Sequence, residues 1–208
     1  MLISQRSESF RQVSDVVARG GVIAFRTDTF YGLGADPFNR SAVRRIKELK
    51  GREDCKAILI VISDRRQFGR FIHQPSAGFK LLAKRFWPGP LTIIGKAADE
   101  VPSEITAGTS TVGVRLPADG KVRALIEACG GCLTATSANL SDQPPAKTAL
   151  EVQAYFGALV DLIVDGGETQ VDQPSTVIDA SGLEVRLIRA GAIAWSAIED
   201  ELRSIETT

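Results

Sequence analysis

The run Ala57-Ile58-Leu59-Ile60-Val61-Ile62 is apolar at every position. A strand with one wet face alternates apolar and polar residues, so an unbroken run predicts a strand covered on both sides, central in its sheet. Shorter apolar, β-branched runs flank it at Val22–Phe25, Leu91–Ile94, Thr111–Leu116, Cys132–Thr136, Leu162–Val164, Ser175–Ile178 and Val185–Ile188. Between them lie segments of helical period. Ser7 or Ser9 is placed to cap a first helix carrying Phe10, Val13, Val16 and Val17, stopped by Gly20-Gly21. Asn39 or Ser41 opens a second with Val43, Ile46 and Leu49 on one face. Further helices are predicted over 64–72, 76–86, 119–129, from Thr148 to about Phe156, and over 194–204.

Early alternation of helices and strands, with strands clustered late, predicts an α/β fold: a mixed parallel and antiparallel sheet flanked by helices. The last two strands, separated by a turn at Ser181-Gly182, read as an antiparallel hairpin. No repeat or linker interrupts the 208 residues, which read as one domain with a core over about 8–192.

Charge excludes some functions. Lys and Arg total 25 and so do Asp and Glu, which disfavours tight nonspecific nucleic-acid binding. Cys129-Gly-Gly-Cys132 has the spacing of a redox or zinc half-site, but Cys55 is the one other thiol and His73 the one histidine. Reduced thiols packed beside a strand start are the plainer reading. No apolar run reaches the length of a membrane span and no signal-peptide pattern opens the chain, so a cytoplasmic location is expected.

Chemistry-bearing residues gather at predicted strand ends. Phe25-Arg26-Thr27-Asp28-Thr29-Phe30-Tyr31-Gly32-Leu33-Gly34 passes from a buried strand into hydroxyls, a carboxylate, a phenol and two glycines. It is read as a loop forming one wall of a small-molecule site, because ligands are held beyond strand ends in α/β sheets. Gly32-Leu33-Gly34 lacks the third glycine of a dinucleotide fingerprint. Gly108–Gly113 has P-loop glycine spacing, but Val114-Arg115 stands where Lys-Ser/Thr is required. Lys50-Gly51-Arg52 reads two ways: a helix C-terminus whose cations offset the macrodipole, or a glycine turn aiming two cations at a phosphate chain.

Ser137-Ala138-Asn139 is either a turn or part of the site, and the same holds for Thr109-Ser110-Thr111 and Pro174-Ser175-Thr176. Arg115 and Arg189, in or beside apolar strands, must snorkel, pair, or meet an anion. The lone histidine lies in a loop and no Gly-x-Ser-x-Gly elbow occurs, which leaves a serine-hydrolase mechanism without support. Hydroxyls with cations suit polyanion and carboxylate binding.

Thr27-Asp-Thr29-Phe-Tyr31-Gly-Leu-Gly34, Lys50-Gly-Arg52, Ser137-Ala-Asn139-Leu-Ser141 and Pro174-Ser175-Thr176-Val177 together resemble the YrdC-like family, over about residues 8–192. The resemblance implies a twisted mixed α/β sheet with a concave, positively charged cavity. It also implies an enzyme that joins L-threonine, bicarbonate or CO2 and ATP into threonylcarbamoyl-AMP, releasing pyrophosphate, for threonylcarbamoyl modification of tRNA adenosine. Residue by residue, it assigns catalysis to Lys50, Arg52, Ser137 and Asn139, and ATP contacts to Lys50, Arg52, Thr111, Asn139 and Arg189. Threonine contacts fall to Thr27, Tyr31, Arg115, Ser137 and Ser175. Mg2+ is expected as cofactor, held mainly by the ATP phosphates rather than by protein ligands. The expected partners are these substrates and the tRNA-modifying machinery that takes the product, with at most weak tRNA contact and no membrane. Arg26, Glu53 and Ala57 stand where the family usually has proline. The alternatives are a noncatalytic RNA- or nucleotide-binding module, and a paralogue acting on another carbamoyl compound.

Overall fold

A computed structural model describes residues 1–51, 56–140 and 143–206. Ten strands form one sheet in the order β1-β8-β2-β3-β7-β4-β6-β5-β9-β10. In chain order they are β1 (Leu2–Ser4), β2 (Ile23–Arg26), β3 (Tyr31–Gly34), β4 (Leu59–Ile62), β5 (Leu91–Lys96), β6 (Thr111–Arg115), β7 (Cys132–Ser137), β8 (Leu162–Asp165), β9 (Thr176–Asp179) and β10 (Arg186–Arg189). The helices are α1 (Phe10–Ala18), α2 (Arg40–Leu49), α3 (Ala77–Phe86), α4 (Ser103–Thr106), α5 (Gly120–Ala128), α6 (Ala149–Phe156) and α7 (Trp195–Glu206). Parallel pairs (β1–β8, β8–β2, β4–β6, β5–β9) are mixed with antiparallel ones, as predicted.

The unbroken run becomes β4, between β7 and β6 well inside the sheet. Its side chains divide by the period of two. Val61 joins Leu133, Ile23 and Phe25 against α1 and α5, while Ile60 and Ile62 face the larger core under α2, α3, α6 and α7. Each face of the sheet therefore has its own apolar layer, which is why this run has no polar alternation.

Several expectations are corrected. Tyr31–Gly34, read as loop, is strand β3, antiparallel to β2 and to β7. Its glycines are packing residues: a Cβ on Gly34 would stand 2.6 Å from a ring carbon of Phe25. Four residues with so little apolar bulk carry a weak strand signal, and pairing on both edges supplies what propensity does not. The edge strand β1 and the short helix α4 had no sequence expectation. Residues 65–70 form 3-10 turns rather than a regular helix. Neither Ser7 nor Ser9 makes a side-chain cap; a 3-10 turn at Ser7–Ser9 leads into α1. Asn39 and Thr148 do cap α2 and α6, each accepting a backbone N–H from its helix's first turn.

Arg26 ion-pairs with Asp119, the N-cap of α5, at 2.8 Å. Glu53 lies outside the described residues, and Ala57 contributes to the cavity described below. Among the described residues no helix is long and apolar enough to cross a membrane.

Candidate active site

The four residues between β2 and β3 fold on their own hydroxyls. Thr27 Oγ1 donates to the Phe30 carbonyl at 2.7 Å and accepts the Thr29 N–H at 3.1 Å. This turn needs no water, so both threonines are buried and face inward. The Tyr31 phenol follows, donating to the Gly167 carbonyl at 2.8 Å and accepting the Gly166 N–H at 3.1 Å. Burial is the main cause that pushes its pKa up to about 12, so it stays a neutral phenol.

Arg115 ends β6 on the face that Val61 and Leu133 present to α1 and α5. The residue is 3% exposed. It donates to Thr29 Oγ1 at 3.1 Å and lies 3.3 Å from Asp28 Oδ1. Across the same space Arg189, at the end of β10, donates through Nη2 to the Ser175 carbonyl at 2.8 Å and to Ser175 Oγ at 3.1 Å. Burial lowers the pKa of both guanidiniums; Asp28 opposes this at Arg115, whereas the charge of Arg115 adds to it at Arg189. Asp28 thus pairs with Arg115, and among the described residues no carboxylate lies within ion-pair distance of Arg189, whose recorded partner is Ser175.

Lys50 closes the end of α2, and Gly51 turns the chain away with φ of +57°. The ammonium does not run into solvent. It donates to the Ser137 carbonyl, to Ser137 Oγ at 3.3 Å and to Asn139 Oδ1 at 2.8 Å, with the residue 2% exposed. Ser137 Oγ donates to the same Asn139 oxygen at 2.6 Å. The cation therefore ties the end of α2 to the end of β7.

Between these groups is a cavity of about 480 Å3. Its polar wall is Thr27, Thr29, Arg115, Ser137, Ser175 and Arg189; Phe30, Ala57, Leu59 and Pro174 give it apolar surface. Asp172, at the mouth, is held by Lys147 at 2.8 Å. Gly191 brings the chain after β10 against Pro174–Thr176 so closely that a Cβ there would overlap that backbone. Among the described residues no group of three or more His, Cys, Asp or Glu is arranged to hold a metal ion. Cys129 and Cys132 are free thiols, pushed up by burial to about 12 and about 11, and His73 is exposed.

The Sua5/YciO/YrdC family model, described as "Telomere recombination", matches residues 15–191. The chain belongs to this family. A threonylcarbamoyl-AMP synthase of Thiobacillus denitrificans is 42% identical over 161 residues, covering 77% of this chain and 85% of that protein. One of Pyrococcus abyssi is 37% identical over 195 residues, covering 94% of this chain. This chain spans 57% of that protein's length. The crystal structure of Pyrococcus abyssi Sua5 complexed with L-threonine superposes with a TM-score of 0.92 at 36% identity, over 97% of this chain and 60% of that one.

Against this Sua5/YciO/YrdC background, the structure brings Thr27, Tyr31, Arg115, Ser137, Ser175 and Arg189 around one cavity, with Lys50 and Asn139 joined to it through Ser137. Thr111 does not line it. Its hydroxyl pairs with that of Thr109 at 2.9 Å, at the opposite end of β6 from Arg115, about 13 Å away at strand rise. Arg52 lies outside the described residues. The sequence gives no separate role to Asp28, Thr29 or Thr92. The first two sit inside the motif that carried the resemblance; Thr92, in an apolar strand, gave no signal.

Proposed function

We propose that this chain is an enzyme of the transferase class that forms threonylcarbamoyl-AMP from L-threonine, bicarbonate and ATP, releasing pyrophosphate. The observation that carries the reading is the pair Arg115 and Arg189 lining one cavity, Arg115 paired with Asp28 and Arg189 with no carboxylate partner among the described residues, and the Lys50–Ser137–Asn139 cluster at its edge. A monoanionic amino-acid carboxylate supplies that partner, and arginine's fork matches its two oxygens. The threonine-bound relative supports the assignment.

In this reading the ammonium of threonine first gives up a proton, and the free amine takes up bicarbonate with loss of water to give a carbamate. A carbamate oxygen then forms a bond to the α-phosphorus of ATP while the bond from that phosphorus to the bridging oxygen breaks, and pyrophosphate leaves. The nucleophile is already an anion, so no protein base is needed at this step, in keeping with a site built from hydroxyls and cations. Arg115, Ser175 and Arg189 hold the carboxylate, and the Thr27–Thr29 turn and Tyr31 shape the space around the side chain. Lys50, with Asn139 and Ser137, stabilises charge on the phosphates and aligns them. Arg52 keeps the phosphate role that the resemblance gives it, and Thr111, outside the cavity lining, keeps an ATP-side contact through the extended nucleotide. Mg2+ arrives with ATP as part of that substrate. The product passes to the tRNA-modifying machinery.

The test is incubation with ATP, Mg2+, bicarbonate and L-threonine, each omitted in turn, with nucleotide products identified by mass spectrometry. Threonylcarbamoyl-AMP formed only in the complete mixture supports the reading. Pyrophosphate release that ignores L-threonine overturns it in favour of another carbamoyl substrate.

A further inference from the structure

Behind the cavity wall, Thr92 on β5 lies beside β9 with its Oγ1 3.0 Å from Ser175 Oγ. Thr92 is 1% exposed and does not line the cavity, so its hydroxyl is out of reach of water; Ser175, 3% exposed, lines the cavity. Either oxygen can be the donor by distance alone. Bookkeeping of protons decides between them. Ser175 Oγ already receives the Arg189 Nη2 hydrogen at 3.1 Å. Among the described residues, Ser175 is the one side-chain or backbone partner of the Thr92 hydroxyl. If Ser175 donated to Thr92, the proton of Thr92 would be stranded in an apolar strand between Leu91 and Ile93, with the desolvation cost of an unmade bond. If Thr92 donates, nothing is stranded. Ser175 then receives two hydrogens, and its own O–H can turn only toward the cavity.

We propose that Thr92 is a positioning residue that fixes Ser175 as a hydrogen-bond donor toward the bound carboxylate. This rests on the reading of the cavity as an amino-acid site. Valine has nearly the same shape and is the commoner occupant of a buried strand, so packing alone does not account for the hydroxyl. Its use is directional: a donor complements a carboxylate, whereas an acceptor in the same place would repel it.

The experiment measures pyrophosphate release by the full chain against L-threonine concentration for the parent, Thr92→Val, Thr92→Ser, Ser175→Ala and the Thr92→Val/Ser175→Ala double variant. Thr92→Val should raise KM for L-threonine about three- to ten-fold, the worth of one hydroxyl–hydroxyl bond, with kcat within about two-fold. Thr92→Ser should restore the parental KM. In the Ser175→Ala background Thr92→Val should add less than about two-fold, because no hydroxyl is left to direct. An unchanged or lowered KM in Thr92→Val overturns the proposal, since freeing the Ser175 proton would then help binding. So does failure of Thr92→Ser to restore it, or an equal loss in the Ser175→Ala background, either of which marks a packing role. A thermal melt of each variant separates misfolding from a binding defect. A parent protein without L-threonine-dependent release overturns the functional reading itself, and the proposal with it.

Discussion

Lys50 donates from Nζ to Asn139 Oδ1 at 2.8 Å, joining residues 89 positions apart in the chain. The same ammonium holds the carbonyl and hydroxyl of Ser137, so a single buried cation fixes the exit of β7 against the end of α2. Lys50→Ala removes a phosphate-side charge and the bonds that tie α2 to β7, leaving the acceptors only their local donors, Ser137 Oγ on Asn139 Oδ1 and the Asn139 N–H on the Ser137 carbonyl. It should lower kcat for pyrophosphate release about 100-fold or more and reduce stability by about 1–3 kcal/mol. Steady-state kinetics and urea unfolding check the two effects separately.

Arg115 and Asp28 form an ion pair whose side chains are 4% and 8% exposed. Removing one partner leaves the other charged and buried, so Arg115→Met should cost about 3–5 kcal/mol of unfolding free energy. Adding Asp28→Asn to that variant should recover a large part of the loss. Both chains should fail to saturate with L-threonine. Denaturant titration of the two single variants and the double variant measures the coupling.

Gly191 lies against the backbone of Pro174, Ser175 and Thr176. Gly191→Ala forces that segment aside, which should cost about 1–3 kcal/mol and raise KM for L-threonine through displacement of Ser175. Gly182→Ala, in the β9–β10 turn with nothing within 4 Å of the added carbon, serves as the control and should leave KM within about two-fold.

Asp119 caps α5 and pairs with Arg26. Burial raises its carboxyl pKa, but the Lys121 N–H, Arg26 and the Val122 N–H outweigh this and hold it below the ordinary 3.8. The unfolded chain then takes up the proton first as pH falls. The stabilisation is present above about pH 4 and is lost as pH drops through the folded value. Asp119→Asn keeps the cap but loses the charge. It should be less stable than the parent at pH 7, and the gap should narrow toward pH 2–3 in unfolding curves.

Cys129 and Cys132 have thiols pushed up to about 12 and about 11 by burial, so few thiolates form at pH 8. Iodoacetamide should label both much more slowly in the folded protein than in urea. Peptide mapping resolves them from Cys55, and rapid native labelling at Cys132 would contradict the packing described for the start of β7.

The elements that were legible in the sequence are those whose signal is local and strong. The unbroken Ala57–Ile62 run gave a central strand, the late apolar pair gave the β9–β10 hairpin, and Asn39 and Thr148 gave helix starts. β3 was missed because Tyr31-Gly-Leu-Gly34 has little intrinsic strand preference and is extended only because β2 and β7 pair with it on either side. The site behaves the same way. Arg115 and Arg189 were visible as charges out of place in apolar strands, but that the charge of one acts on the other across a single cavity is a property of the space between them.

The chain by itself determined which residues could pair, cap or break, because those preferences act over three or four neighbours. Tertiary structure alone decided that Lys50 turns to Ser137 and Asn139 and that Thr92 stands behind Ser175. Each of those facts depends on strand order and register, which no window of sequence contains: β7 lies between β3 and β4 although about a hundred residues of chain separate it from β3.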